Sequence, residues 1–404
     1  MKLLLVMDNL RTTELDEAAL WLSEVAVRNA QRGCRVELLC MQASETGCPP
    51  EILPGVEVQF PGPEHFEAVL GGALADRPDV MHVASGGPFG PRIVEILRDL
   101  PVLLDVHDFW PICPAGDLMR RPKLLPCGEH YPFHACGACA GLQRLRAMEE
   151  RAQIASGAGT VMAHSAFNRV RLNAGLGRAI EFVDYGVDVE RFRPDPDPPS
   201  HAGIAEIYAN RERPRVIFLG PPTPARGGER VIDILVALAA RVPEVELVVA
   251  GRDLQNPGWD QMVMAEAQEM GLAANFRCLP AVPTLDLPAL YASGQVAISP
   301  MMGSEPGGLF AEQALACGLP IVASPSGALQ DLVREGAEGM FVPAGETAAF
   351  ADAVCALLAD PQTRAGYAEA ARLRACEKHD LQRSVLEVEE IYHRVRGPGH
   401  RMAA

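Results

Sequence analysis

Short apolar runs alternate with amphipathic stretches along most of this chain. Residues 2–7 (KLLLVM) are an apolar run of strand length, 15–32 are amphipathic, and 35–41 (RVELLCM) turn apolar again. These read as a buried strand, an amphipathic helix and a second strand. Gly33 falls between the last two, where a helix C-cap is expected. Runs at 80–84 and 102–106 are further strands with a helical pattern at 91–99 between them, and 160–163 and 181–183 are later strands of the same sheet. This alternation predicts a parallel sheet covered by helices.

A Pro- and Asp-rich stretch at 192–199 (FRPDPDPP) then interrupts the pattern with the composition of a linker. The alternation restarts beyond it. Strands are predicted at 215–219, 246–250, 275–279, 296–299 and 320–323, and helices near 229–241, 259–270, 285–293 and 348–358. A closing helix near 381–395 is polar on one face and suited to pack back across the first half. The expected class is α/β, with two doubly wound domains: 1–195, with a Cys-rich insertion at about 109–142, and 205–375, followed by a C-terminal helical segment over 376–404. Open α/β sheets bind ligands outside the carboxyl ends of their strands, so function is expected in the cleft between the domains.

Composition narrows the partners. A chain of 404 residues is too long for one ordinary core. Its net charge of −16 argues against nucleic acid or an anionic membrane as the main partner, although Arg120, Arg121 and Lys123 could form a local basic patch. The opening MKLLLVMDNL is only strand-length before Asp8-Asn9 ends it, so it does not read as a signal peptide. No run approaches the ~20 apolar residues of a membrane span. A cytoplasmic protein without a transmembrane segment is expected, its oligomeric state left open. In that compartment the 11 cysteines are not expected to form disulfides. Cys34, Cys40, Cys48, Cys278, Cys317, Cys355 and Cys376 are scattered and read as small core residues.

The stretch 304–324 (SEPGGLFAEQALACGLPIVAS) carries the most chemistry. It places a carboxylate before a Pro-Gly-Gly turn, then a short helix ended by Gly318-Leu319-Pro320, then an apolar strand. A turn that presents backbone N–H groups at a helix N-terminus suits phosphate. An acid just before it is placed to hold sugar hydroxyls. This layout resembles the donor motif of family 4 glycosyltransferases, which have the GT-B fold: two Rossmann-like domains facing each other across a cleft. The resemblance spans nearly the whole chain and implies a retaining transferase that takes a sugar from a nucleotide-diphosphate donor. The implied acceptor is a glycan, an aminosugar or another small molecule. Leaving-group charge would be stabilised by protein groups rather than by a catalytic metal.

Residue by residue, the resemblance implies that Glu305 holds sugar hydroxyls and that Gly307, Gly308 and Leu309 offer amides to the diphosphate. Gln313 stands where the family has a second Glu; an amide can still bond ribose hydroxyls, and Glu312 beside it points about 100° away on a helix. Gly220 matches the phosphate loop, and Arg226-Gly227 falls where Lys-Gly is usual, while Pro221 replaces the family's first basic residue. His107, ending an apolar strand, matches a histidine near the anomeric carbon, with Asp108 placed to orient it. His82 ends an earlier strand and is either structural or acceptor-facing. Gly186-Val187-Asp188 and Phe192 match the interdomain signature. Asp16-Glu17 stand where a Gly-Gly pair is usual; they either stabilise the helix N-terminus or hold a cationic or polyhydroxylated acceptor.

The altered positions keep two further readings open. One is a catalytically weak GT-B protein serving as partner or scaffold for another transferase. The other is an enzyme with an unusual donor. Finally, Cys113, Cys127, Cys136 and Cys139 form C-x13-C-x8-C-x2-C within a loop rich in Pro and Gly. Four thiolates, two as Cys-x-x-Cys, suit a closed tetrahedral zinc site. An iron–sulfur cluster is the rival, His130 and His134 are possible substitute ligands, and a metal-free loop is the remaining case.

Overall fold

The computed structural model describes residues 1–10, 16–43, 53–62, 64–84, 100–120, 125–127, 136–253 and 256–397. The first half contains β1 (Lys2–Leu10), α1 (Glu17–Gln31), β2 (Arg35–Ala43), β3 (Val56–Gln59), α2 (Phe66–Ala75), β4 (Val80–Val83) and β5 (Val102–Val106). A two-stranded hairpin, β6 (Met119–Arg120) and β7 (Leu125–Pro126), follows. Then come α3 (Cys136–Ala140), α4 (Leu142–Gly157), β8 (Thr160–Ala163), α5 (Ala166–Leu176) and β9 (Glu181–Phe182). Seven strands form one parallel sheet in the order β3-β2-β1-β4-β5-β8-β9. β4 and β5 are buried along their whole length, which explains apolar runs without alternation.

The second half repeats the scheme. It comprises α6 (Ala202–Ala209), β10 (Arg215–Phe218), α7 (Val231–Ala239), β11 (Glu246–Ala250), α8 (Trp259–Glu269), β12 (Phe276–Leu279), α9 (Leu287–Ala292) and β13 (Val296–Ser299). It continues with α10 (Leu309–Ala316), β14 (Ile321–Ala323), α11 (Leu329–Leu332), β15 (Gly339–Phe341), α12 (Thr347–Ala359) and α13 (Pro361–Lys378). Six parallel strands are ordered β12-β11-β10-β13-β14-β15. The molecule is thus two Rossmann-like domains facing each other across a cleft. The last helix, α14 (Leu381–Arg396), leaves the second domain and buries Leu381, Val385, Val388, Ile391 and Tyr392 in a cluster with Leu3, Leu5 and Trp21 of the first.

α1 shows how sequence sets a boundary. Asp16 is extended and its side chain accepts from the Ala19 amide at 3.1 Å, capping the first turn. Glu17 follows in the turn favoured for acids, and Trp21, Leu22, Val25 and Ala26 form the buried face. Each such large apolar side chain contributes about 1.5–3 kcal/mol by leaving water. The helix predicted at 229–241 is shorter, because a 3₁₀ turn over Gly228–Arg230 precedes it. The helix predicted at 91–99 lies outside the described residues. Of the cysteines expected in the core, Cys40 and Cys317 are buried, Cys34, Cys278 and Cys355 are half-buried, and Cys376 is exposed; Cys48 lies outside the described residues. Among the described residues, no helix is long and apolar enough to cross a membrane.

Candidate active site

The carboxyl ends of the two sheets bring together residues far apart in sequence. The loop after β10 carries Gly220 and Arg226, and the loop after β13 carries Glu305. Arg226 donates from Nη1 to Glu305 Oε2 at 2.7 Å and from Nη2 to Oε1 at 3.4 Å, and also from Nη2 to Glu17 Oε1 at 3.2 Å. Its guanidinium lies over the Phe310 ring at 5.2 Å. Gly220, two residues beyond β10, lies against the same ring. The turn that aims Arg226 depends on Gly227, which has φ +82° and would place a Cβ 2.2 Å from the Pro300 carbonyl oxygen.

One cation therefore faces two carboxylates. Burial, then Glu305, pushes the Glu17 carboxyl up to about 8, with Arg226 only partly offsetting them. Burial acts against the Arg226 charge, but Glu305 and Glu17 outweigh it and push the guanidinium up. Of the two readings of Asp16 and Glu17, this geometry favours stabilisation of the helix N-terminus over an acceptor site. Asp16 is spent as the α1 cap, and Glu17 reaches across the cleft to Arg226.

Gly307, Gly308 and Leu309 form the entry to α10. Gly307 packs against the Tyr185 ring, and a Cβ there would stand 2.2 Å from Tyr185 Cε2. Gln313 accepts from the Tyr291 hydroxyl at 3.2 Å and lines a cavity of about 250 Å³ together with Leu20, Glu24, Leu287 and Leu309. Glu312 points the other way and accepts from the Gly186 amide at 2.8 Å.

His107 belongs to a buried cluster built around Asp105. Asp105 Oδ1 accepts from His164 Nε2 at 2.7 Å and Oδ2 from His82 Nε2 at 3.1 Å. A carboxylate only accepts, so Nε2 carries the hydrogen, and with a neutral ring the Tyr392 hydroxyl donates to the other His82 nitrogen, Nδ1, at 2.6 Å. His107 Nε2 stands 3.1 Å from Asp105 Oδ2 without hydrogen-bond alignment, and its Nδ1 is 2.9 Å from the Tyr185 hydroxyl. Burial alone would raise the Asp105 carboxyl, but His107 and His164 beside it hold it well below the usual range. Burial lowers His107 in turn, favouring the neutral ring despite Asp105.

Two expectations are corrected. His82 faces no acceptor, because it is wholly buried under Tyr392. Asp108 does not orient His107; it accepts from the Trp110 amide at 2.6 Å, and burial raises it to about 6. Asp105 is the carboxylate beside the His107 ring, at 3.1 Å from Nε2. Asp105 and His107 are two apart at the end of β5 and so share a face, a signal already present in LLDVHD. His164 and Tyr185, which complete the cluster, carried no comparable signal.

The four clustered cysteines meet loosely. Cys113 packs with Phe109, Leu118 and Cys127, while Cys136 and Cys139 lie one turn apart on α3. Burial, then neighbouring Cys113, raises the thiols of Cys127 and Cys136. Among the described residues, no three of these sulfurs lie within 4.8 Å of one another; a zinc ion at ~2.3 Å from each would have to draw them closer. Arg121, Lys123, His130 and His134 lie outside the described residues. Two groups of three described ligand atoms do come within 4.8 Å: Asp105, His107 and His164, and Asp184, Glu312 and His379. The first is occupied by its own contacts. In the second, burial pushes the Glu312 carboxyl well above its usual range and His379 down to about 4, which favours the neutral form of both.

Residues 204–374 match the model of the family described as "Glycosyl transferases group 1". The chain is 31% identical over 295 residues to a GDP-mannose-dependent alpha-(1-6)-phosphatidylinositol monomannoside mannosyltransferase of Mycolicibacterium smegmatis, covering 70% of this chain and 75% of that one. It is 30% identical over 355 residues to a D-inositol 3-phosphate glycosyltransferase of Nocardia farcinica, covering 83% and 75%. Among solved structures, HepE of Anabaena in complex with UDP-glucose superposes with a TM-score of 0.75 at 19% identity, covering 98% of this chain and all of that one. Sucrose-phosphate synthase of Thermosynechococcus elongatus superposes with 0.74 at 19% identity, covering 98% and 99%. At such identities the structural likeness speaks for the fold, which is GT-B.

Proposed function

Because the chain belongs to the group 1 glycosyltransferases, and is a glycosyltransferase accordingly, we propose that it takes its sugar from a nucleoside-diphosphate donor and transfers it with retention of anomeric configuration. The observation that carries this reading is the convergence of Arg226, Glu305 and the entry to α10 at the carboxyl ends of the second sheet. A guanidinium fork and helix N-terminal amides suit the two phosphates of such a donor. The nucleoside lies in the cavity beside Gln313, whose amide faces the ribose hydroxyls. Glu305 holds hydroxyls of the sugar.

As the glycosidic bond to the diphosphate breaks, negative charge grows on the leaving oxygen. Arg226 and the amides of Gly307, Gly308 and Leu309 stabilise it in a partly buried site, where such preorganised groups supply a large share of a rate enhancement. His107, favoured in its neutral form by burial and anchored by Tyr185, stands on the first-domain side where the acceptor enters. The named relatives use GDP-mannose or act on inositol phosphates and phosphatidylinositol glycosides. A polyhydroxylated cyclitol or its phosphate is therefore the acceptor class to try first.

The test is transfer from GDP-mannose and UDP-glucose to inositol 3-phosphate and to a phosphatidylinositol monomannoside, with the first-formed anomer read by NMR. An α-linked product from an α-linked donor supports the reading; an inverted anomer overturns retention. Absence of transfer from any nucleotide sugar, with unchanged donor recovered, overturns the donor assignment.

A further inference from the structure

Glu17 bonds Arg226, the cation proposed above to hold the donor's diphosphate, and its role depends on that donor assignment. It is the first residue of α1 in the first domain, and its partner Arg226 lies on a loop of the second. Both are largely buried, at 9% and 14% side-chain exposure, so solvent screens the pair only weakly. Arg226 already makes two bonds to Glu305, the shorter at 2.7 Å, and Glu305 is buried and fixed by its backbone through the Ala328 amide at 2.9 Å. The bond to Glu17, at 3.2 Å, is single and made from the very start of a helix. Of the two carboxylates Glu17 is therefore the one that can leave. Carboxylate and phosphate oxygens make the same charge-assisted bonds to a guanidinium.

We propose that Glu17 is an internal competitor of the donor: its carboxylate occupies Arg226 in the donor-free protein, and the diphosphate displaces it, parting an ion pair that ties the two domains. The return of Glu17 to Arg226 then assists release of the nucleoside diphosphate product. Competition is strongest when Glu17 is ionised. The titratable and charged groups around it are Asp16 on its own helix, Arg226 and Glu305 on the second-domain loops, and Tyr185 after β9, with Tyr291 on α9 and Glu312 on α10 farther off. Burial, then Glu305, places its titration at about 8, so the competitor should act mainly above that pH.

The experiment is calorimetric titration of the full chain with UDP, GDP, ADP, TDP and CDP at pH 6 and pH 9. Wild type is compared with Glu17→Gln, Arg226→Ala and the double variant, each first checked for a cooperative unfolding transition above the assay temperature. Glu17→Gln keeps the shape and the Asp16 cap. Relative to wild type at the same pH, it is expected to bind the preferred nucleotide roughly tenfold more tightly at pH 9, the order expected from one lost charge-assisted competing bond, and about equally at pH 6. The gain should vanish when Arg226 is already Ala. If Arg226→Ala weakens binding but Glu17→Gln gains nothing at pH 9, or gains equally with Arg226 absent, the competitor role is overturned while the donor assignment stands. If no nucleotide binds any form, or Arg226→Ala binds as wild type does, the donor assignment itself fails, and the competitor role fails with it.

Discussion

Asp105→Asn removes one charge and almost no volume, and the surroundings set its effect. The carboxylate is fully buried and accepts aligned bonds from His164 at 2.7 Å and His82 at 3.1 Å, with His107 a further 3.1 Å away. An amide keeps one acceptor oxygen and presents an N–H in place of the other. If the oxygen stays with His164, the N–H meets His82 Nε2, and His82 must shift its proton to Nδ1 and donate to Tyr392. Tyr392 can accept, so that bond is partly recovered. The bond to His164 loses its charge, and His164 also faces the Val183 carbonyl at 2.9 Å, so both its bonds form together only when both nitrogens carry hydrogen. With bonds to charged groups contributing about 1.5–3 kcal/mol each, a net loss of roughly 2–4 kcal/mol is expected. At about 2–4 °C per kcal/mol for a domain of this size, the first-domain transition in scanning calorimetry should fall by about 8 °C. A fall of less than about 2 °C would mean that Asp105 is not the charged centre of the cluster, refuting its part in placing His107.

Gly227→Ala meets both a left-handed backbone and a carbonyl 2.2 Å from the new Cβ. It should cost about 2–3 kcal/mol and misplace Arg226, read as a higher donor KM; an unchanged KM would contradict the aiming role of that turn. Tyr185→Phe removes the hydroxyl at His107 Nδ1 and is expected to lower kcat roughly tenfold with little change in donor KM; a change confined to KM would place His107 with binding instead. Glu17 is held protonated above its unfolded range of about 4.5, up to about 8. Its contribution to stability is therefore complete below about pH 4.5 and lost as pH rises to about 8; Glu17→Gln should flatten that part of the unfolding-temperature curve, and an unaltered slope would contradict the shift. Metal analysis of protein purified without chelator should find zinc held by Cys113, Cys127, Cys136 and Cys139 at about one per chain, absent from Cys136→Ser; iron in its place, or no metal, rejects the zinc proposal.

The two-domain architecture was legible because fully buried parallel strands leave continuous apolar runs, as at 102–106 and 246–250. The turn and helix entry at 305–309 were legible for a related reason. The carboxylate, paired glycines and helix follow one another in the chain, so one segment shows the whole device. Charge pairing across the cleft was not legible, since Glu17 and Arg226 meet only after two domains have folded and docked. The same holds for His82, whose strand-end position left its direction open until Tyr392 of the last helix covered it. Asp105 could have been found from its two-residue spacing to His107. His164 and Tyr185 reach the cluster from β8 and from the segment after β9, through tertiary packing that local pattern does not encode.

The resting place of the donor's phosphates decides the central claim. A crystal structure of the protein soaked with its preferred nucleoside diphosphate sugar would show this directly. Phosphate oxygens are expected within hydrogen-bond distance of the Arg226 guanidinium and of the amides at the start of α10, with Glu17 turned away and the nucleoside beside Gln313. Phosphates bound elsewhere, with the Arg226–Glu17 and Arg226–Glu305 pairs both intact, would contradict it.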